Sequence, residues 1–154
     1  MIEQFDSTAD TLKHSQRVGE LLAPTINELV ARAMVHDRSK TEDPELACFN
    51  AFTPKLKHST YGSPEYKDFL AEMGTALKHH YAHNRHHPEF FGDDGINGMT
   101  LVDLIEMLTD WKAATERHDN GDLARSLEQQ RERFGISDQL ARILDNTARA
   151  LGWL

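Results

Sequence analysis

Apolar residues recur three and four positions apart along almost the whole chain, and no segment alternates as a half-buried strand would. That periodicity restricts the fold to helices packed on helices, so an all-α, single-domain helical bundle is expected. At 154 residues the chain is long enough for one substantial core. No Pro/Gly/Ser linker, repeat or low-complexity tract divides residues 1–154 into further domains.

Local signals place the helices. The first is expected from Ser7 or Thr8 to about Leu22, with His14, Val18, Leu21 and Leu22 on its inward face. Pro24 is expected to end that run, and Thr25 with Glu28 offers a capping box for a second helix. On it Ile26, Leu29, Val30, Ala33 and Asp37 share one stripe, so a carboxylate stands where the other positions are apolar. Unpaired burial there would cost several kcal/mol, on the order of 2–7, which points to a metal or a cationic partner.

Residues 41–62 read as a short helix around 44–52 followed by an irregular loop. Ser63 as N-cap and Pro64 at the first helical position then open a long helix to about His83, lined by Phe69, Leu70, Met73, Ala76, Leu77 and His80. Pro88 disfavours helix at His87, so the helix is expected to stop by about Arg85 and hand over to the loop "HHPEFFGDDGINGM", residues 86–99. The segment "TLVD" caps a central helix from 101 to about 118, apolar on most sides, and Asp122 and Ser137 open two last helices around 123–133 and 138–151.

The formal charge of −8 argues against an extended nucleic-acid or anionic-membrane surface. Cys48 is the only cysteine, which excludes an intrachain disulfide and cysteine-rich zinc modules and fits a reducing cytoplasm. With neither a signal-peptide pattern nor a run of eighteen apolar residues, a cytoplasmic protein is expected. The sequence leaves a homo-oligomer open.

The chemistry-bearing residues begin with "AMVHDRSK", where His36 stands beside Asp37 at a helix end and both can reach an ion seated above the bend. Inward His14 adds a third donor. The central helix supplies Asp110, in "MLTDWKAA", from a largely apolar setting. Asp103 and Glu106 share the stripe of Asp110, so a solvated face formed by these acids is the alternative to a ligand role for Asp110.

A His, then a His-Asp pair, then a distant Asp on a later helix resembles the HD-domain superfamily of metal-dependent phosphohydrolases, over about residues 8–118. The resemblance implies a bundle of the HD type, a metal held by His14, His36, Asp37 and Asp110, and Lys40 of "HDRSK" as the substrate-facing cation. Residues 119–154, the two C-terminal helices, lie outside it. The chain also resembles a family of small bacterial and phage HD-like proteins sharing "HDRSK", "TPKL", "YGSPEY" and "NRHHPE", from which no activity carries over.

Five of the nine histidines fall in "HHYAHNRHH", residues 79–87. The stretch resembles the segment that holds a second metal in binuclear HD enzymes, although there the added histidines lie much further apart. His80 and His83 are expected to line the site as catalytic groups beside Lys40. Arg38, His79, Arg85, His86 and His87 are expected to contact substrate. His58 and His118 are expected at the surface.

A mixed nitrogen and oxygen site suits Mn²⁺, Fe²⁺, Co²⁺ or Zn²⁺, with Mg²⁺ also admitted. Such an ion makes a nucleophile of water at cellular pH. The activity implied is hydrolysis of a nucleotide or similar small phosphoester. Two alternatives stand beside it: an HD-fold di-iron oxygenase, and an HD module that binds a nucleotide without turnover.

Overall fold

The structure, a computed structural model, describes residues 6–60, 62–117 and 121–154. Its described elements are all helical, without a strand among the described residues. No described helix is long and apolar enough to cross a membrane. The chain divides into two compact units, Met1–Val35 and His36–Leu154, with no intervening linker.

The described residues of the first unit carry one helix, α1 (Thr8–Val35), preceded by Asp6, whose carboxylate accepts from the Thr8 amide at 2.9 Å. The break expected at Pro24 does not occur. Proline there removes one N–H and costs roughly 3 kcal/mol in a helix interior, and strong helix formers on either side (Leu21, Leu22, Ala23, Glu28, Leu29) carry the helix through it. Glu28 therefore pairs with Arg32 at 2.8 Å and does not close a capping box with Thr25. No α1 residue is buried, and His14, expected to face inward, is exposed.

The second unit begins at His36. Asp37 adopts a left-handed backbone (φ 57°), which turns the chain out of α1 and into a 3₁₀ turn over Arg38–Thr41. Helix α2 (Leu46–His58) continues past the 44–52 span expected, with Pro54 inside it, and displaces the loop foreseen there. His58 is exposed, as expected, and His118 lies outside the described residues.

Helix α3 (Pro64–His83) starts as its cap predicts: the Ser63 hydroxyl accepts from the Tyr66 amide at 3.1 Å. Its expected stripe is the covered face, with Met73, Ala76 and His80 buried and Phe69, Leu70 and Leu77 half-buried. Gly74 departs from helical geometry (φ 25°, ψ −93°) and separates the N-terminal turns from the histidine-bearing end. Most of the loop expected over 86–99 is instead wound into 3₁₀ turns, Pro88–Gly98.

Helix α4 (Leu101–Thr115) carries the full capping box of Thr100 and Asp103. Helices α5 (Leu123–Phe134) and α6 (Asp138–Ala150) start from Asp122 and Ser137, and Gly135 (φ 60°) closes α5. The apolar core forms among these three helices from Met107, Leu108, Trp111, Leu123, Ile136, Leu144 and Ala148. Trp111 stacks on Phe134 with ring planes 4° apart. The opposite side of α4 faces the histidines.

Candidate metal centre

The centre is assembled from three places in the second unit: the turn after α1, the end of α3 with the residues that follow it, and the polar side of α4. Asp103, Glu106 and Asp110 recur on α4 at the spacing of one helical face. They do not form the alternative solvated face: Asp103 is fully buried, and Glu106 and Asp110 are half-buried.

Asp103 explains how the residues beyond α3 are held. Its carboxylate accepts from the Thr100 amide and hydroxyl at 2.8 Å each, and from the Arg85 guanidinium through two contacts of 3.2 Å. Arg85 also lies over the Phe90 and Phe91 rings, at 5.2 and 5.0 Å. Arg85, expected to meet substrate, ties the turn after α3 to the start of α4. The next two residues, His86 and His87, are thereby delivered to the site.

Two groups of ligand-type atoms result, each gathered within 4.8 Å: Asp37, His80, His86 and His87 form one, and His36, His86 and Asp110 the other. His80 Nε2 lies 2.9 Å from His87 Nε2 and 3.2 Å from Asp37 Oδ1, while His86 Nε2 lies 3.5 Å from that same oxygen. These separations bracket the roughly 3.3 Å edge of a tetrahedron of ligands about 2.0 Å from a zinc-like ion. On the other side of the carboxylate, His36 Nε2 approaches Asp110 Oδ1 at 3.4 Å and Asp37 Oδ2 at 3.7 Å.

Asp37 Oδ1 and His86 Nε2 are buried and have no hydrogen-bond partner among the described residues. Buried polar atoms are ordinarily paired, and leaving one unpaired costs about 1–3 kcal/mol. Two such atoms turned toward one point, among ring nitrogens, fit a cation between them. The donor set passes the same test, since imidazole with carboxylate suits first-row divalent ions.

The electrostatics agree. Burial alone would raise the Asp37 carboxyl, but His80, His86 and Lys40 hold it far below the usual carboxylate range. Glu106 is lowered in the same way, with His36 and His86 outweighing burial. Contact with Asp110, and then with Glu106, pushes His36 up to about 10, so in the absence of an ion it keeps a second proton. Burial, reinforced by His86 and His80, pushes His87 down to about 2 and keeps that ring neutral with a lone pair to offer.

Of the residues singled out in the sequence, the structure brings together His36, Asp37, Lys40, His80, His86, His87 and Asp110. Lys40 Nζ sits 2.5 Å from Asp37 Oδ2 and 5.1 Å from the centre of the Phe49 ring. His14 belongs to α1 in the first unit, and both ligand groups form without it. Arg38 is exposed and pairs with Glu42 at 3.1 Å. His83 is exposed, stacks on His79 with centroids 4.0 Å apart, and donates from Nδ1 to the His79 carbonyl at 2.8 Å.

Two acidic residues at the centre were invisible as such in the sequence. Glu45, fully buried at the start of α2, lies 2.7 Å from His79 Nδ1 and 3.0 Å from His80 Nδ1. Glu106 Oε1 lies 2.9 Å from His36 Nδ1 and 3.4 Å from His86 Nδ1. The "HDRSK" turn adds Ser39, which donates to Glu45 at 3.0 Å and accepts from Asn84 at 2.8 Å.

Compared with known proteins, residues 3–150 match the model of one family, DUF5662, described as a family of unknown function. No curated protein and no solved structure matches the chain.

Proposed function

The chain belongs to DUF5662, and we propose that it is a metal-dependent phosphohydrolase of the HD type, acting on a nucleotide or similarly small phosphoester. One observation carries the reading: Asp37 Oδ1 and His86 Nε2 are buried without partners inside a group of His and Asp ligand atoms. A divalent ion bound there supplies water whose pKa is lowered from 15.7 toward roughly 7, a hydroxide source at neutral pH.

The chain's own residues supply the remaining parts. Lys40, held by Asp37 and packed on Phe49, is a fixed cation where negative charge grows as the ester bond breaks. His87, neutral and half-buried, offers a lone pair beside His80 and His86. His79 and His83 form a stacked pair at the more exposed end of α3, where an incoming anion would first meet imidazole. Products are the free alcohol or shorter phosphate and a phosphate carrying the oxygen of water.

A second reading has one observation in its favour. The two ligand groups overlap at His86, and the two Asp37 oxygens face different histidines, Oδ1 toward His80 and His86 and Oδ2 toward His36. That arrangement supports two ions, and with iron it supports oxygen chemistry in place of hydrolysis.

The test is a panel of nucleotides and small phosphoesters offered to protein loaded with Mn²⁺, Fe²⁺, Co²⁺, Zn²⁺ or Mg²⁺. Release of phosphate or nucleoside, lost in Asp37→Ala, is expected. Metal-loaded protein that releases neither across the panel overturns hydrolysis, and oxygen consumption by the iron form alone selects the second reading.

A further inference from the structure

Ring nitrogens bind metal only where they carry a lone pair, so each ligand histidine must place its one proton on the other edge of the ring. Here the far edges are accounted for bond by bond. The Glu45 carboxylate has only acceptor oxygens to offer, and it lies within hydrogen-bond distance of His79, His80 and Ser39. The His80 Nδ1–H therefore donates to Glu45 Oε2 at 3.0 Å, and the Ser39 hydroxyl donates to the same oxygen at 3.0 Å.

Asn84 Nδ2 lies 3.0 Å from His80 Nδ1, but its two hydrogens are taken by Ser39 Oγ and the His80 carbonyl, each at 2.8 Å. Ser39 Oγ also lies 3.1 Å from His80 Nδ1, but its one hydrogen goes to Glu45 Oε2, so it too is no donor to that ring edge. A neutral His80 ring therefore carries its proton on Nδ1 and its lone pair on Nε2, on the side of Asp37 and His87. Glu106 repeats the pattern, facing the Nδ1 edges of His36 and His86 while their Nε2 edges face the Asp37 carboxylate.

We propose that Glu45 and Glu106 are positioning residues of the metal centre, each fixing the Nδ1 edges of its histidines so that the Nε2 edges of His36, His80 and His86 converge on Asp37. The inference rests on the metal reading above and adds its selection mechanism. The two carboxylates set which edge of each ring is offered and in which direction, before any ion arrives. Neither touches the point on which the ligand atoms converge, so neither is a catalytic residue.

The experiment pairs zinc affinity, from competition with a chelator, with ¹⁵N spectra of the histidine side chains. In wild-type protein His80 and His86 are expected to carry protons on Nδ1 and to bind zinc through Nε2. Glu45→Leu, which removes both acceptors, is expected to weaken zinc binding about 10- to 100-fold. Glu45→Gln, which keeps one acceptor, is expected to fall between Leu and wild type, and Glu106→Leu and Glu106→Gln to follow the same order.

A purely structural role would lower the melting temperature while leaving the protonated edge and the zinc affinity of folded protein unchanged, and that result overturns the proposal. So does coordination of His80 or His86 through Nδ1. If wild-type protein takes no zinc, the metal reading fails, and spectra of the metal-free protein still decide this inference. Nδ1–H on His80 that persists in wild type and shifts to Nε2 in Glu45→Leu supports it, and a wild-type ring protonated on Nε2 without Nδ1–H overturns it.

Discussion

The two sides of α4 are built from different physics. Met107, Leu108 and Trp111 bury apolar surface against α5 and α6, whereas Asp103, Glu106 and Asp110 meet a guanidinium and imidazoles. Apolar packing is non-directional and tolerates any set of side chains that fills the volume. The polar side is a chain of specific donors and acceptors, and two of its buried atoms remain unpaired. One side therefore holds the unit together, and the other faces the ligand-type atoms of the candidate metal centre.

Substitutions should separate the two sides. The largest effect is expected from Trp111→Ala, which empties the stacked position on Phe134 and should lower unfolding free energy by about 3–5 kcal/mol in denaturant titration. Zinc affinity of the protein that remains folded should hardly change. A variant that lost zinc affinity with little loss of stability would show that the two sides are not separable.

Asp37→Ala should do the reverse. It removes the carboxylate that both ligand groups surround, and zinc affinity should fall on the order of 100-fold or more by chelator competition. Saturating zinc should raise the wild-type melting temperature, with about 2.7 kcal/mol of stabilisation at a hundred times the dissociation constant. The same zinc should leave the variant's melting temperature where it was.

The next effect is that of pH. His36 is raised above its ordinary 6.5, so in metal-free protein its proton stabilises the fold fully below pH 6.5, and that contribution is lost as pH climbs through about 10. Glu106 and Asp37 are lowered, so their contribution is present above the ordinary carboxylate range and is lost as pH falls through and below it. A metal must displace the His36 proton. Zinc affinity should therefore rise by up to about tenfold per pH unit as pH climbs toward about 10, and a flat profile would remove His36 from the ligands.

The smallest effect sharpens the boundary of the polar side. Arg38 is adjacent to Asp37 in sequence but forms an exposed pair with Glu42. Arg38→Ala should change stability by less than about 0.5 kcal/mol, and zinc affinity should stay within twofold of wild type.

The same contrast explains what could be read from the sequence. Ser63, Thr100, Asp122 and Ser137 mark their helix starts because a cap bonds to an amide three residues on, wholly within the local chain. Pro24 signals a break that α1 does not make, because the strong helix formers on both sides outweigh the local cost of the proline. His80 was legible as inward because it continues the Met73 and Ala76 stripe. Glu45 was not, since its partners His79 and His80 lie 34 and 35 residues away and no periodicity links them. Asp103 and Glu106 looked like a solvated face because three acids on one helix side read so until Arg85 and the histidines are folded against them.

The central claim is that the His and Asp groups around Asp37 hold a divalent ion, and elemental analysis of purified protein after loading and dialysis tests it most directly. One or two equivalents of a first-row metal per chain are expected in wild type, with the content falling toward zero in Asp37→Ala and in His86→Ala. Substoichiometric metal in folded wild-type protein, or equal metal in wild type and both variants, would contradict the account.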